Sequence, residues 1–71
     1  MDSPALQIRL NGDLVTLLAP CSLAALLDAQ GLAGRRVAVE VNGAIVPRGR
    51  HPKHALADGD VVEIVHALGG G

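Results

Sequence analysis

Apolar and polar residues alternate along Leu6-Gln7-Ile8-Arg9-Leu10, the two-residue period of a strand with one face buried and the other in water. Asn11-Gly12 follows directly. This pair predicts a tight hairpin, because both residues tolerate the positive φ that a two-residue turn demands. Asp13 to Leu18 then forms the returning strand. Its pattern is less clean and leaves open which of Leu14, Val15, Leu17 and Leu18 face inward.

After Pro20-Cys21 the period changes. Leu23, Leu26 and Leu27 fall at i, i+3 and i+4, one apolar stripe of a helix that spans Leu23 to Gln30. Ser22 precedes the stripe as an N-cap, and Gly31 follows it as the residue for a left-handed stop. About two turns are too few to hold alone, so this helix must dock on a sheet. Val37, Val39 and Val41 share a face of the next strand, and a second Asn-Gly pair, Asn42-Gly43, turns the chain into Ala44-Ile45-Val46. Pro47 lacks an N–H for a ladder and places that strand at an edge. Arg48 to Ala55, with Pro52 inside, predicts a loop or a single turn of 3₁₀ helix, Asp58-Gly59-Asp60 a turn, and Val61 to Ala67 the last strand. Two hairpins joined by a helical crossover let the first and last strands lie parallel at the centre of a mixed sheet, with the helix over one face. The expectation is an α+β protein with the β-grasp, or ubiquitin-like, arrangement. It is one domain over 1–71, with a folded body over 6–67 and a flexible tail over 68–71.

That tail is Leu68-Gly69-Gly70-Gly71. Glycine adds backbone entropy and no packing, so three in succession do not serve the fold. They suit a thin segment that enters another protein's narrow channel, and three extended residues reach about 10 Å.

Composition narrows the function classes. A chain of 71 residues buries only about 60% of its unfolded surface, too little to enclose a large active site. Six basic against seven acidic residues, with no Phe, Trp or Tyr, provide neither the basic footprint nor the stacking platform of a nucleic-acid binder. One cysteine allows no internal disulfide and suits a reducing compartment. The N-terminus lacks the basic and apolar regions of a signal peptide, and the apolar stretch from Leu14 to Leu27 is interrupted and too short to span a membrane. A soluble cytoplasmic protein is expected.

The run Val39-Glu40-Val41-Asn42-Gly43-Ala44-Ile45-Val46-Pro47-Arg48, the run Leu56-Ala57-Asp58-Gly59-Asp60-Val61-Val62-Glu63-Ile64-Val65 and the closing Gly-Gly-Gly together resemble the sulfur carrier family of thiamine biosynthesis, ThiS. The resemblance covers nearly the whole chain. It implies that an E1-like (ThiF-like) adenylating enzyme uses ATP to convert the carboxylate of Gly71 to an acyl adenylate. Sulfur from a donor such as a cysteine desulfurase then makes the thiocarboxylate. A thiazole synthase (ThiG-like) takes that sulfur to build the thiazole ring. Gly71 is thus the sulfur-bearing residue, and Gly69 and Gly70 are the segment entering the partner's active site. On this reading the carrier is a substrate and not an enzyme, and it binds no cofactor itself. The small subunit of molybdopterin synthase shares the fold and chemistry and is the nearest rival, while the short length and the Asn-Gly-x-Ile-Val-Pro-Arg hairpin favour thiamine. A ubiquitin-like binding module with inert glycines is a rival from another class.

Other candidates have plainer explanations. Cys21 precedes a helix, where a thiol is activated, but packing as a small hydrophobe against Leu26 accounts for it. His51 and His54 lie in an expected exposed loop, with no nearby ligands to complete a zinc site. His66 is expected to face solvent. Arg48, Arg50, Lys53 and His54 make a basic segment, and Asp58, Asp60 and Glu63 an acidic one. Such charges solvate a surface, and a mixed-charge rim beside the last strand also serves to steer docking. No Ser-His-Asp set, phosphate loop or metal motif occurs in the sequence.

Overall fold

A computed structural model describes residues 4–66. Five strands and a helix follow in the expected order: β1 (Ala5–Leu10), β2 (Asp13–Leu18), α1 (Leu23–Ala29), β3 (Val37–Val41), β4 (Ala44–Ile45) and β5 (Val61–His66), with a 3₁₀ segment at Arg48–Lys53. The sheet order is β2-β1-β5-β3-β4. β5 runs parallel to β1 and antiparallel to β3. This is the expected β-grasp.

Every second residue of β1, Leu6, Ile8 and Leu10, is buried, as the alternation requires. Val39 and Val41 of β3 and Val62 and Ile64 of β5 continue the same inner face, and Leu23, Leu26 and Leu27 of α1 close over it. On β2 the structure resolves what the pattern left open. Val15 and Leu17 pack against this core, while Leu14 and Leu18 face solvent.

α1 is bounded by its caps. The Ser22 Oγ accepts from the Ala25 N–H at 3.0 Å, which satisfies one of the donors left open at a helix start. At the other end Gly31 has φ 75. The Leu32 N–H donates to the Leu27 carbonyl at 2.8 Å and the Gly31 N–H to that of Asp28 at 3.0 Å, the paired bonds of a Schellman stop. Gln30 is therefore the cap and not the last helical residue.

Two details depart from the sequence reading. β4 holds two residues, and Val46 is buried beside it, its N–H donating to the Val39 carbonyl at 2.9 Å. The 3₁₀ segment occupies six residues, more than a single turn. Its His51 is a correction: it is not in an exposed loop but is 5% exposed, with Nε2 3.0 Å from the Val46 carbonyl. A carbonyl only accepts, so Nε2 carries the hydrogen. The cause is local. Pro47 ends the β4 ladder, the Val46 carbonyl needs a donor, and the tight 3₁₀ turn folds His51 back to supply it. His51→Leu is expected to leave that carbonyl unsatisfied, lowering stability by about 1–3 kcal/mol in a urea titration.

Candidate functional site: the emerging last strand and the open sheet face

β5 is the element that leads toward the glycines, and both Asn-Gly turns hold it. Asn11 and Asn42 have φ 49 and 53, followed by Gly12 and Gly43 at 90 and 84, the positive values that the hairpin motif demands. Each asparagine side chain has a second task. The Asn11 amide accepts from the Ile64 N–H at 2.7 Å and donates to the Ile64 carbonyl at 3.2 Å. It thus imitates one more residue of strand where β1 has already turned away. Asn42 accepts from the Val61 N–H at 2.9 Å and donates to Asp60 Oδ1 at 2.9 Å. Asp60 Oδ2 in turn accepts from the Ala57 N–H at 2.8 Å, and Asp58 Oδ1 accepts from the Gln7 N–H at 2.7 Å. Part of the acidic segment therefore fixes the start of β5. A turn signal alone does not reveal this role, but only an amide offers a donor and an acceptor together.

The end of β5 is held differently. Its ladder with β1 comprises Arg9 with Val61 and Leu10 with Val62, and Asn11 extends it to Ile64. Val65 and His66 are paired with Ala38 and Val37 of β3. Arg35 and Arg36, just before Val37, stand at this same end of the sheet. The expected end of the last strand, Ala67, and the candidate site residues Gly69, Gly70 and Gly71 lie outside the described residues.

The sheet face opposite α1 is the second feature. Leu14, Leu18, Ile45, Val61 and Val65 are between 44% and 72% exposed, and register puts them all on this face. Leu14 and Val61 each sit opposite Arg9, Leu18 opposite Ala5, Ile45 opposite Glu40, and Val65 opposite Ala38. An aliphatic face with interspersed Arg9, Glu40 and Glu63 has the composition of a protein-docking surface. A shallow hollow of about 350 Å³ between Arg9, Leu14, Asp58 and Val61 indents it. The signal was available in the sequence: β2 and β5 carry apolar residues at both parities, more than one buried face needs.

The remaining candidates are dispersed. Cys21 is half-buried against the core, its Sγ 3.5 Å from the Ser22 carbonyl. His54 is half-buried, and its carbonyl accepts from the Leu23 N–H at 2.8 Å. His66 is exposed, as expected. Among the described residues no three His, Cys, Asp or Glu side chains converge on a metal position, and no helix is long and apolar enough to cross a membrane.

A mixed five-stranded sheet grasping one helix, with a central strand running out beside an open aliphatic face, defines a ubiquitin-like protein of the β-grasp class. The fold superposes on the crystal structure of the thiamine biosynthesis protein ThiS from Geobacter metallireducens with a TM-score of 0.80 and 30% identity, covering 93% of this chain and 100% of that one. The ThiS family model matches residues 8–71, and the chain belongs to the ThiS family of sulfur carriers. It is 41% identical over 66 residues to the thiazole synthase of Magnetococcus marinus and 39% identical to that of Paramagnetospirillum magneticum. Each match covers 93% of this chain but spans only 20% of the synthase's length. The uncharacterized protein ycf40 of Porphyra purpurea is 32% identical, with 93% of both chains covered.

Proposed function

We propose that the carboxylate of Gly71 is adenylated by an E1-like enzyme at the expense of ATP, converted to a thiocarboxylate, and used as the sulfur source for thiazole formation. A carboxylate with a pKa of about 3.5 is ionised at neutral pH and resists nucleophilic attack. Adenylation turns one oxygen into part of a leaving group. The persulfide of a donor such as a cysteine desulfurase then displaces AMP, forming the C–S bond as the C–O bond breaks, and a thiol reductant cleaves the S–S bond of the resulting acyl disulfide to release the thiocarboxylate. Gly69 and Gly70 bring the carbonyl into partner active sites, and the absence of a side chain on Gly71 leaves it open to attack. The chain acts as a substrate and not as a catalyst. Its single thiol suits a reducing cytoplasm.

The observation that carries this reading is the family match, which runs from β1 to Gly71. A second one supports the choice of partner. In two relatives named thiazole synthase, a segment like this chain forms a fifth of the polypeptide. Joining two domains raises their effective concentration and favours pairs that work together. The test is intact-mass analysis after incubation with ATP, an adenylating enzyme and a sulfur donor. Exchange of one oxygen for sulfur within the C-terminal peptide is expected, and an unchanged mass with all components active refutes the proposal.

The open sheet face is the surface on which these enzymes dock. Val65 is its closest described member to the tail. Val65→Glu places a charge in the desolvated centre of such a contact and is expected to slow adenylation at least about tenfold through KM. Circular dichroism of the variant should be unchanged, because Val65 already faces solvent.

A further inference from the structure

β2 is the sheet's outer strand, and among the described residues its only strand neighbour is β1. The two-residue turn makes Leu10 and Asp13 a hydrogen-bonded pair, and such pairs then alternate. Ile8 with Val15 and Leu6 with Leu17 are therefore bonded, and the Ala19 N–H continues the series to the Pro4 carbonyl at 2.9 Å. The N–H and C=O groups of Leu14, Thr16 and Leu18 point the other way, out of the sheet. Native edges of this kind are usually blocked by lysine, proline or a bulge. Asp-Leu-Val-Thr-Leu-Leu contains no lysine or proline, and its six residues pair with β1 one to one without a bulge.

We propose that this edge pairs with the same edge of a second copy, joining two five-stranded sheets into one of ten strands. The free groups are symmetric about Thr16. An antiparallel two-fold centred there sets Thr16 against its counterpart and Leu14 against Leu18 of the other copy, so all three outward pairs are used. A centre at Val15 or Leu17 leaves one leucine unmatched. The side chains agree with the same register. Leu14 meets Leu18 on the open face, Val15 meets Leu17 on the core side, and the two threonines form a favourable cross-strand pair. The strand's one charge, Asp13, falls opposite Ala19, so no like charges oppose each other.

Two consequences follow. The two copies of β5 lie five strand spacings apart, about 24 Å, and run in opposite directions, so the two His66 residues stand at opposite ends of the joined sheet. One strand edge also buries less than the roughly 1,200 Å² of a stable interface. The dimer is therefore weak and concentration-dependent, with its midpoint between about 10 µM and 1 mM.

Sedimentation equilibrium across that range tests the inference. Wild type should shift from the mass of one chain towards that of two. Thr16→Lys, which opposes two ammonium groups on the symmetry axis, should weaken association about fivefold. Thr16→Pro removes both central N–H donors without touching the β1 ladder and should abolish it. In a Cys21→Ala background, Thr16→Cys places two thiols on Cα atoms about 5.5 Å apart. With oxidised glutathione it should form an intermolecular disulfide faster than Gln7→Cys, which lies one strand inward. A wild-type chain that stays monomeric to 1 mM, or equal cross-linking at positions 7 and 16, overturns the proposal. If Thr16→Pro loses its fold, the lysine and cysteine variants still decide.

Discussion

Deletion of Gly70 and Gly71 is expected to abolish ATP-dependent thiocarboxylate formation while leaving the thermal midpoint within about 2 °C of wild type. The two effects separate because chemistry and stability reside in different parts of the chain. The buried aliphatic cluster begins at Leu6 and ends at Ile64, and glycines add no packing to it. The acyl carbon to be activated is lost with Gly71. Intact mass of the loaded protein and a calorimetric scan measure the two quantities on the same sample. A truncated chain that still acquires sulfur would show that the reactive carboxylate need not belong to Gly71. A truncated chain that fully supports thiamine synthesis in cells would point to an inert tail.

Asn11→Ala is expected to have the largest effect on stability, about 2–4 kcal/mol. Two contributions add. The substitution removes both bonds to Ile64, leaving a part-buried N–H and carbonyl of the central strand without their partner. It also forces an alanine to φ near 49, a left-handed conformation costing roughly 1–2 kcal/mol for a residue with a Cβ. A domain of this size has about 4–10 kcal/mol in total, so the loss is a large share. Asn11→Gly separates the terms, since glycine adopts the turn freely but makes no side-chain bonds. Urea titration of both variants should rank wild type above Asn11→Gly and that above Asn11→Ala. Equal stability of wild type and Asn11→Gly would show that the amide bonds to β5 contribute nothing net.

The two roles of Asn11 illustrate how far the chain could be read without coordinates. Its local role, a hairpin turn, follows from φ preference and needs only the adjacent glycine. Its other role depends on Ile64, far along the chain, and appears only when β5 has been placed beside β1. His51 is a similar case. The composition of Arg48 to Ala55 suggested an exposed loop, and no local pattern shows that the Val46 carbonyl lacks a donor once Pro47 has stopped the ladder. The open sheet face was partly visible, because β2 and β5 have more apolar positions than one buried face needs. Their gathering on one surface required the register.

What the sequence by itself determined was the order of the five strands and the α-helix among the described residues, the N-cap at Ser22, the left-handed stop at Gly31, and the β-grasp topology. These follow from short-range period, turn chemistry and the few ways in which two hairpins and a crossover pack together. Only the tertiary structure decided which side of β2 is buried, what Asn11, Asn42 and His51 bond to, and that Leu14, Leu18, Ile45, Val61 and Val65 share one exposed surface. Each of these depends on which distant segments become neighbours, and hydrogen bonds and burial are satisfied by neighbours in space whatever their separation in sequence.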